Sequence, residues 1–268
     1  MSKKYSVIIV ILMVSLCAFG GTNVTLTLVK NKKPIAVIAI PDNASKVIVA
    51  SAEALNKYIK LITGITLPVR RESELEKADR SVLSLGPTDL AASVGLNSTK
   101  MQVGEFICQH DGNVIFIFGR DDNRFNPNYG SGENGTWNGT CRFVEQYLNV
   151  RWLWPGKYGL AFSKRDTLSV SMKSPFTEKP VIMSRRCRTP IYQSYWATDW
   201  KEVGIDNDEY KHLSQSLYDW QKFHLMGGSV EVSPGGHGFT KWWDNYNKKH
   251  PDWFAEQTDG TRNQNFDK

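Results

Sequence analysis

The side chains best suited to chemistry fall late in the chain. His237 sits in the run Ser233-Pro234-Gly235-Gly236-His237-Gly238, after a short apolar stretch from Gly228 to Val232. Flanking glycines let backbone approach a ligand closely, and the imidazole can donate a hydrogen bond to a hydroxyl or a carboxylate. The plainer alternative is a loop histidine that fixes a turn. Arg185, Arg186 and Arg188 follow another apolar stretch, Val181 to Ser184. A guanidinium fork suits paired hydroxyls or a carboxylate, and a solvated, ion-paired cluster fits the same residues equally well. Trp242 and Trp243 come shortly after His237. Indoles stack on the apolar faces of sugar rings, so this pair could line a subsite. Six of the nine tryptophans lie beyond Tyr195, and core packing is the ordinary role for most of them.

Cleaving a glycosidic bond needs two carboxyl groups, one to donate a proton and one to attack or to activate water. Glu231 lies on a candidate strand just before the glycine-rich run and could point into a site, although a paired or solvated glutamate is the usual finding there. Asp199, Asp206 and Asp208 read as surface or capping residues. No catalytic residue is assigned. His224, His237 and His250 share no ligand spacing, so no metal site is expected. No Gly-Lys-Ser/Thr follows the glycine run, which excludes a phosphate loop. No Gly-x-Ser-x-Gly elbow occurs, and no cofactor is expected.

The elements that must position these groups alternate in period. Val24 to Val29 and Pro34 to Ile40 read as strands. From Ser45 the apolar stripe Ile48, Ala52, Leu55, Tyr58, Ile59, Ile62 has helical spacing, with Asn43 or Ser45 as a cap and Gly64 as a stop. Ile65 to Val69 and Ser81 to Leu85 read as strands. Asp111-Gly112 between two apolar runs predicts a hairpin. A polar loop spans Arg120 to Trp137, long enough to be functional or mobile. A helix is expected over Asn138 to Val150, then a hairpin through Leu168 to Val170. Pro175 to Pro180 reads as a linker. Val181 to Ser184 and Gly228 to Val232 read as strands around a helix from Asp208 to Phe223, with Leu213, Leu217 and Trp220 inward. The expected class is therefore α/β: a mixed-sheet α+β sandwich domain over residues 22–175, then the opening of an incomplete β/α domain over 180–268.

Composition agrees with a globular chain. There are 268 residues, 41% hydrophobic and 22% charged, with 33 Lys+Arg against 27 Asp+Glu. A net charge of +6 without a Lys/Arg block argues against nucleic acid. Lys3-Lys4, the apolar run Val7 to Val14 and the exit Ala18-Phe19-Gly20 read as a signal peptide over residues 1–20, hence a secreted or periplasmic protein. Leu16 before Cys17 argues against a lipoprotein. No run is long enough for a stable membrane span. Cys108, Cys141 and Cys187 read as small buried hydrophobes, one disulfide pair remaining possible. Asn-X-Ser/Thr sites stand at Asn23, Asn43, Asn97, Asn134 and Asn138.

Three segments carry a family resemblance. Ala54-Leu55-Asn56-Lys57-Tyr58-Ile59-Lys60-Leu61-Ile62-Thr63-Gly64-Ile65-Thr66-Leu67-Pro68 resembles the helix-to-strand signature of the N-terminal domain of bacterial alpha-glucuronidases. The equivalent domain precedes the barrel of beta-hexosaminidases. Gly139-Thr140-Cys141-Arg142-Phe143-Val144-Glu145-Gln146-Tyr147-Leu148-Asn149-Val150-Arg151-Trp152-Leu153-Trp154-Pro155-Gly156 is similar to its second signature, although Cys141 departs from the small or hydrophobic residue expected there. His250-Pro251-Asp252-Trp253-Phe254-Ala255-Glu256, with Asp259-Gly260 and Arg262, resembles an uncharacterised bacterial glycoside-hydrolase-like family that joins such a domain to a (β/α)8 barrel. The resemblance implies a barrel running beyond Lys268, with its catalytic carboxylates on later strands, and a sugar-hydroxyl role for Arg185. The expectation is thus the N-terminal part of a secreted glycoside hydrolase, inactive as this portion alone. The alternatives are a non-catalytic glycan-binding protein and a structural interaction module. The expected partner is a carbohydrate, contacted by Arg185, His237, Trp242 and Trp243.

Overall fold

The computed structural model describes residues 24–79, 81–121, 134–173, 175–182, 185, 207–226 and 241–262. Strand β1 (Val24–Lys30) reverses at Asn31-Lys32 into β2 (Lys33–Pro34). Both turn residues have positive φ, 50° and 59°, the type I′ geometry whose twist matches the strands. Along its other edge β1 pairs antiparallel with β10 (Leu168–Met172). Leu26, Leu28 and Val170 point inward. On the outer face Thr25 meets Ser171 at 2.6 Å and Thr27 meets Ser169 at 3.1 Å.

The main sheet contains β3 (Val37–Ile40), β4 (Val69–Arg71), β5 (Val82–Leu85), β6 (Phe106–Asp111), β7 (Val114–Gly119) and β11 (Phe176–Glu178), in the order β11-β6-β7-β5-β3-β4. β7, β5, β3 and β4 run parallel; β6 and β11 are antiparallel to their neighbours. Central strands are covered on both faces, which is why Val-Ile-Ala-Ile of β3 is wholly buried. Alternation on β7 is strict: Ile115 and Ile117 enter the main core, while Phe116 and Phe118 face the opposite side with Ala91 of the short helix α2 (Asp89–Ser93).

The main-core face is packed by α1 (Lys46–Thr63) and α3 (Gly135–Tyr147), which lie against each other. All six residues of the predicted α1 stripe are buried. Ser45 holds the cap position without a side-chain bond, and Gly64 ends the helix in the left-handed region at φ 80°, its N–H donating to Lys60 O. Fully buried residues such as Leu55, Ile59 and Phe143 contribute about 1.5–3 kcal/mol each through removal of apolar surface from water.

Several expectations are corrected. The strand after α1 is Val69–Arg71 rather than Ile65 to Val69. Asn56 takes both backbone groups of Leu67, donating to its carbonyl at 2.9 Å and accepting from its N–H at 2.8 Å, so Leu67 has none left for a ladder. The turn of the β6–β7 hairpin is Gly112-Asn113, one residue later than read, because Asp111 pairs with Val114. The segment after α3 forms its own hairpin, β8 (Arg151–Trp152) with β9 (Leu160–Ala161), leaving Leu168–Met172 free to pair with β1. The supposed linker contains β11, paired with β6 through Phe176↔Cys108. Val181 and Ile182 lie in an exposed bend, not a strand; the Ile182 carbonyl turns back to accept from Arg185 Nη1 at 2.6 Å.

Helix α4 (Asn207–Phe223) matches the predicted span, but Leu213 is exposed. Contact is made by its C-terminal end. Phe223 joins the main core between Tyr58 and Trp152, at ring distances of 5.6 and 5.8 Å, and Trp220 Nε1 donates to Trp152 O at 2.8 Å. The short α5 (Trp242–Tyr246) follows. The barrel strand read over Gly228 to Val232, and the leader over residues 1–20, lie outside the described residues. Among the described residues no helix is long and apolar enough to cross a membrane.

Cys108 and Cys141 are free and buried, and burial pushes both thiols up; Cys187 lies outside the described residues. Of the glycosylation motifs, Asn43 and Asn97 are exposed and Asn134 and Asn138 buried.

Candidate functional site

Arg185 stands at the crossing of the bend after Pro180 with the end of α4. Its Nε donates to Leu225 O at 2.8 Å and its Nη1 to Ile182 O. The fork that suits paired hydroxyls thus holds two backbone carbonyls. A cleft of about 370 Å³ opens beside it, lined by Phe106, Asn138, Arg142, Glu178 and His224 among others. Its Arg142 and Glu178 charges are matched to each other. Arg142 grips Glu178 through Nε at 3.1 Å and Nη2 at 3.3 Å, and reaches Glu145 with Nη1 at 2.7 Å. His224 Nε2 lies 2.7 Å from Trp152 O. A carbonyl only accepts, so the proton sits on Nε2. This cleft ties α3 to β11 and, among the described residues, brings no second carboxylate opposite Glu178.

The second place is built by residues 241–262. Trp242 and Trp243, read as one pair, diverge, because adjacent residues on a helix point about 100° apart. Trp243 turns toward buried Phe254, edge to face at 5.1 Å. Trp242 joins Tyr246, four residues on, at 5.8 Å and Trp253 at 6.0 Å. Tyr246 and Trp253 are 5.4 Å apart, and His250 stacks flat on Trp253 at 4.1 Å. These are offset and tilted packings that the ring quadrupoles favour.

The group is not interred: Trp242 is 39%, Tyr246 37% and Trp253 50% exposed. Its frame is local. His250 N–H donates to Tyr246 O at 2.8 Å, Pro251 opens a single tight turn through Trp253, and Arg262 holds Glu256 at 2.7 Å and the Phe254 carbonyl. Asp259 accepts from both the N–H and the hydroxyl of Thr261, which keeps its carboxyl low. The result is a half-exposed aromatic surface with an imidazole stacked on Trp253. Tyr246, His250 and Trp253 were not singled out as a group in the sequence, although the four-residue spacing of Trp242 and Tyr246 was its signal.

A third feature is an enclosed carboxyl. Asp121 accepts from Thr136 N at 2.8 Å and Thr136 Oγ1 at 2.9 Å, so it satisfies the first turn of α3 from the end of β7. Burial pushes its pKa up to about 6, against the pull of those two bonds. The approach is possible because Gly119 and Gly135 meet backbone to backbone; a Cβ on Gly135 would lie 2.1 Å from Glu105 O. Thr136 occupies the carboxylate, which makes this a capping group.

Of the remaining candidates, Asp208 is exposed and paired with Lys211 at 3.1 Å. His237, Glu231, Asp199, Asp206, Arg186 and Arg188 lie outside the described residues, as does the 122–133 part of the polar loop. Among the described residues no three metal-ligating side chains converge.

No model of a known protein family matches the chain, and no curated protein matches it in sequence. Among solved structures it is similar to a family GH115 4-O-methyl-alpha-glucuronidase with specificity for decorated arabinogalactans. The identity is 16% and the TM-score 0.41, over 60% of this chain and 19% of that one. It is also similar to a GH20 exo-beta-N-acetylglucosaminidase from Vibrio harveyi, at 12% identity and TM-score 0.34, over 62% of this chain and 19% of that one. The chain therefore spans about a fifth of the length of either protein. Neither likeness transfers a residue role.

Proposed function

We propose that this chain is the N-terminal portion of a secreted carbohydrate-active protein, a glycoside hydrolase when complete, and that the portion in hand binds glycan without cleaving it. The observation that carries the reading is the half-exposed surface of Trp242, Tyr246 and Trp253 with His250 at its edge. Hydrophobic packing alone would close such rings against a core. Half-exposed, they offer apolar aromatic surface to the C–H face of a pyranose and a ring nitrogen to its hydroxyls. Trp243 supports this surface from behind. His237, which precedes α5, is proposed to add a donor beside it. Arg185 already spends two of its five N–H donors on backbone carbonyls, so it is proposed to contribute less than the tryptophans. The absence of a carboxylate pair in the Arg185 cleft, among the described residues, favours binding over hydrolysis by this portion.

The test is affinity electrophoresis of the purified chain in gels containing soluble plant and bacterial polysaccharides, beside the double variant Trp242→Ala, Trp253→Ala. Each buried indole contact is worth about 1–2 kcal/mol, so retardation by the retained glycan should fall more than tenfold in the variant. A chain retarded by none of the polysaccharides, or a variant retarded as strongly as the parent, refutes the reading.

A further inference from the structure

We propose that the cleft where α1, α3 and the end of α4 meet is a second carbohydrate subsite, sized for one neutral pyranose unit. The proposal rests on the carbohydrate reading above but uses none of the same residues. The cleft has a volume of about 300 Å³, the lower end of the range for small-ligand sites. Its walls are aromatic: Tyr58 from α1, Trp137 from α3, Trp152 from β8 and Phe223 from α4. Both indole N–H groups are spent on backbone carbonyls, Trp137 on Lys222 O at 3.3 Å and Trp152 on Gly156 O at 3.1 Å. The rings are therefore fixed in orientation before any ligand arrives.

The polar groups at the cleft are less well provided for. Lys222 is only 8% exposed, yet its ammonium is 3.9 Å from Asp219, beyond hydrogen-bond range. The ammonium also lies over the Trp137 ring, 5.9 Å from the ring centre. Burial pushes this ammonium below the usual lysine range, with Asp219 and Cys141 opposing the shift and Lys57 adding to it. Burial pushes the Tyr58 hydroxyl up as well. Lys57 lies loosely over the Tyr58 and Trp152 rings, at 5.9 and 5.8 Å. The Lys222 ammonium and the Tyr58 hydroxyl both carry N–H or O–H donors from which a ligand hydroxyl can accept.

Charge selects the ligand class. Glu53 and Lys57 from α1 and Asp219 and Lys222 from α4 all line the cleft. Two cations and two carboxylates cancel, so a net anion gains little there. A neutral polyol gains at both, because each hydroxyl donates to a carboxylate and accepts from an ammonium. Aromatic walls with balanced, incompletely paired charges at the rim describe a sugar ring better than a lipid or a phosphate.

The experiment uses the whole chain, labelled with ¹⁵N on its tryptophan indoles and titrated with neutral monosaccharides and, separately, with a uronic acid. Ala54→Trp, on the half-buried face of α1 that lines the cleft, fills the space; Lys57→Met removes a donor at an exposed position. With a neutral sugar, the Trp137 and Trp152 indole signals should shift together, and both variants should weaken that response about tenfold or more. The Trp242→Ala, Trp253→Ala variant should leave it unchanged. Shifts confined to Trp242 and Trp253 would overturn this subsite while leaving the proposed function standing. A uronic acid binding tighter than neutral sugars, or Ala54→Trp binding like the parent, would overturn it too. Binding at the cleft with no glycan retained by the exposed aromatic surface would uphold the subsite and refute the surface.

Discussion

Replacing Asp121 by Asn isolates a pH effect built into the joint between β7 and α3. The amide keeps an oxygen for the Thr136 N–H and places its NH₂ against the Thr136 hydroxyl, so the two bonds at 2.8 and 2.9 Å survive in form. What goes is the proton equilibrium. Burial raises this carboxyl from the ordinary aspartate range to about 6. A pKa raised by folding means that the folded state binds the proton more tightly than the unfolded chain. The contribution is therefore complete below about pH 4 and is lost as pH rises through about 6. A shift of roughly two units corresponds to about 3 kcal/mol. Asp121 keeps part of its surface at the solvent boundary, and screening there brings the working figure to about 2 kcal/mol. Urea unfolding of parent and variant between about pH 4 and about pH 7 reads this directly. The parent should lose about 2 kcal/mol relative to Asp121→Asn across that window, mostly between about pH 4 and about pH 6. Parallel stability curves, or a parent that gains on the variant as pH rises, would show that folding does not raise this carboxyl's pKa and that the burial argument is wrong.

Two further substitutions probe the same framework. Gly135→Ala drives a methyl into Glu105 O at 2.1 Å and Arg120 N at 2.6 Å; both are backbone atoms that cannot swing aside, so thermal unfolding should reveal a loss of about 3 kcal/mol or more. Asn56→Ala strands the N–H and carbonyl of Leu67, which should cost about 1–3 kcal/mol by urea unfolding and speed hydrogen exchange at Leu67 ahead of β4.

What the sequence made legible divides by range. α1 is the clear success: its apolar stripe repeats within one element, and burial follows from helical geometry alone. The β6–β7 hairpin was legible for the same reason, with the turn misplaced by one residue because Asp-Gly and Gly-Asn both satisfy the local pattern. β11 was not. Phe176-Thr177-Glu178 lies between two prolines and has no periodicity long enough to read; it becomes a strand because β6, far back in the chain, offers an open edge. The shortened β4 has a similar cause, one asparagine on a helix outcompeting a strand for Leu67.

The candidate sites follow the same division. Aromatic richness in the last third was visible as composition, but which rings would share a surface was not. The adjacent pair Trp242-Trp243 invites reading as a unit, whereas a helical turn separates them and joins Trp242 to Tyr246. Trp253 then arrives through the tight turn at Pro251, and its partnership with His250 depends on that turn closing. Asp121 is the extreme case. Its importance comes from Thr136, across a loop, and from two glycines whose missing side chains let β7 and α3 touch. Residues gain function here from what an absent Cβ or a single side-chain amide permits elsewhere. Testing such pairs together, Gly135 with Asp121 or Asn56 with Leu67, is therefore more informative than testing any of them alone, since coupling between neighbours is where single substitutions stop adding.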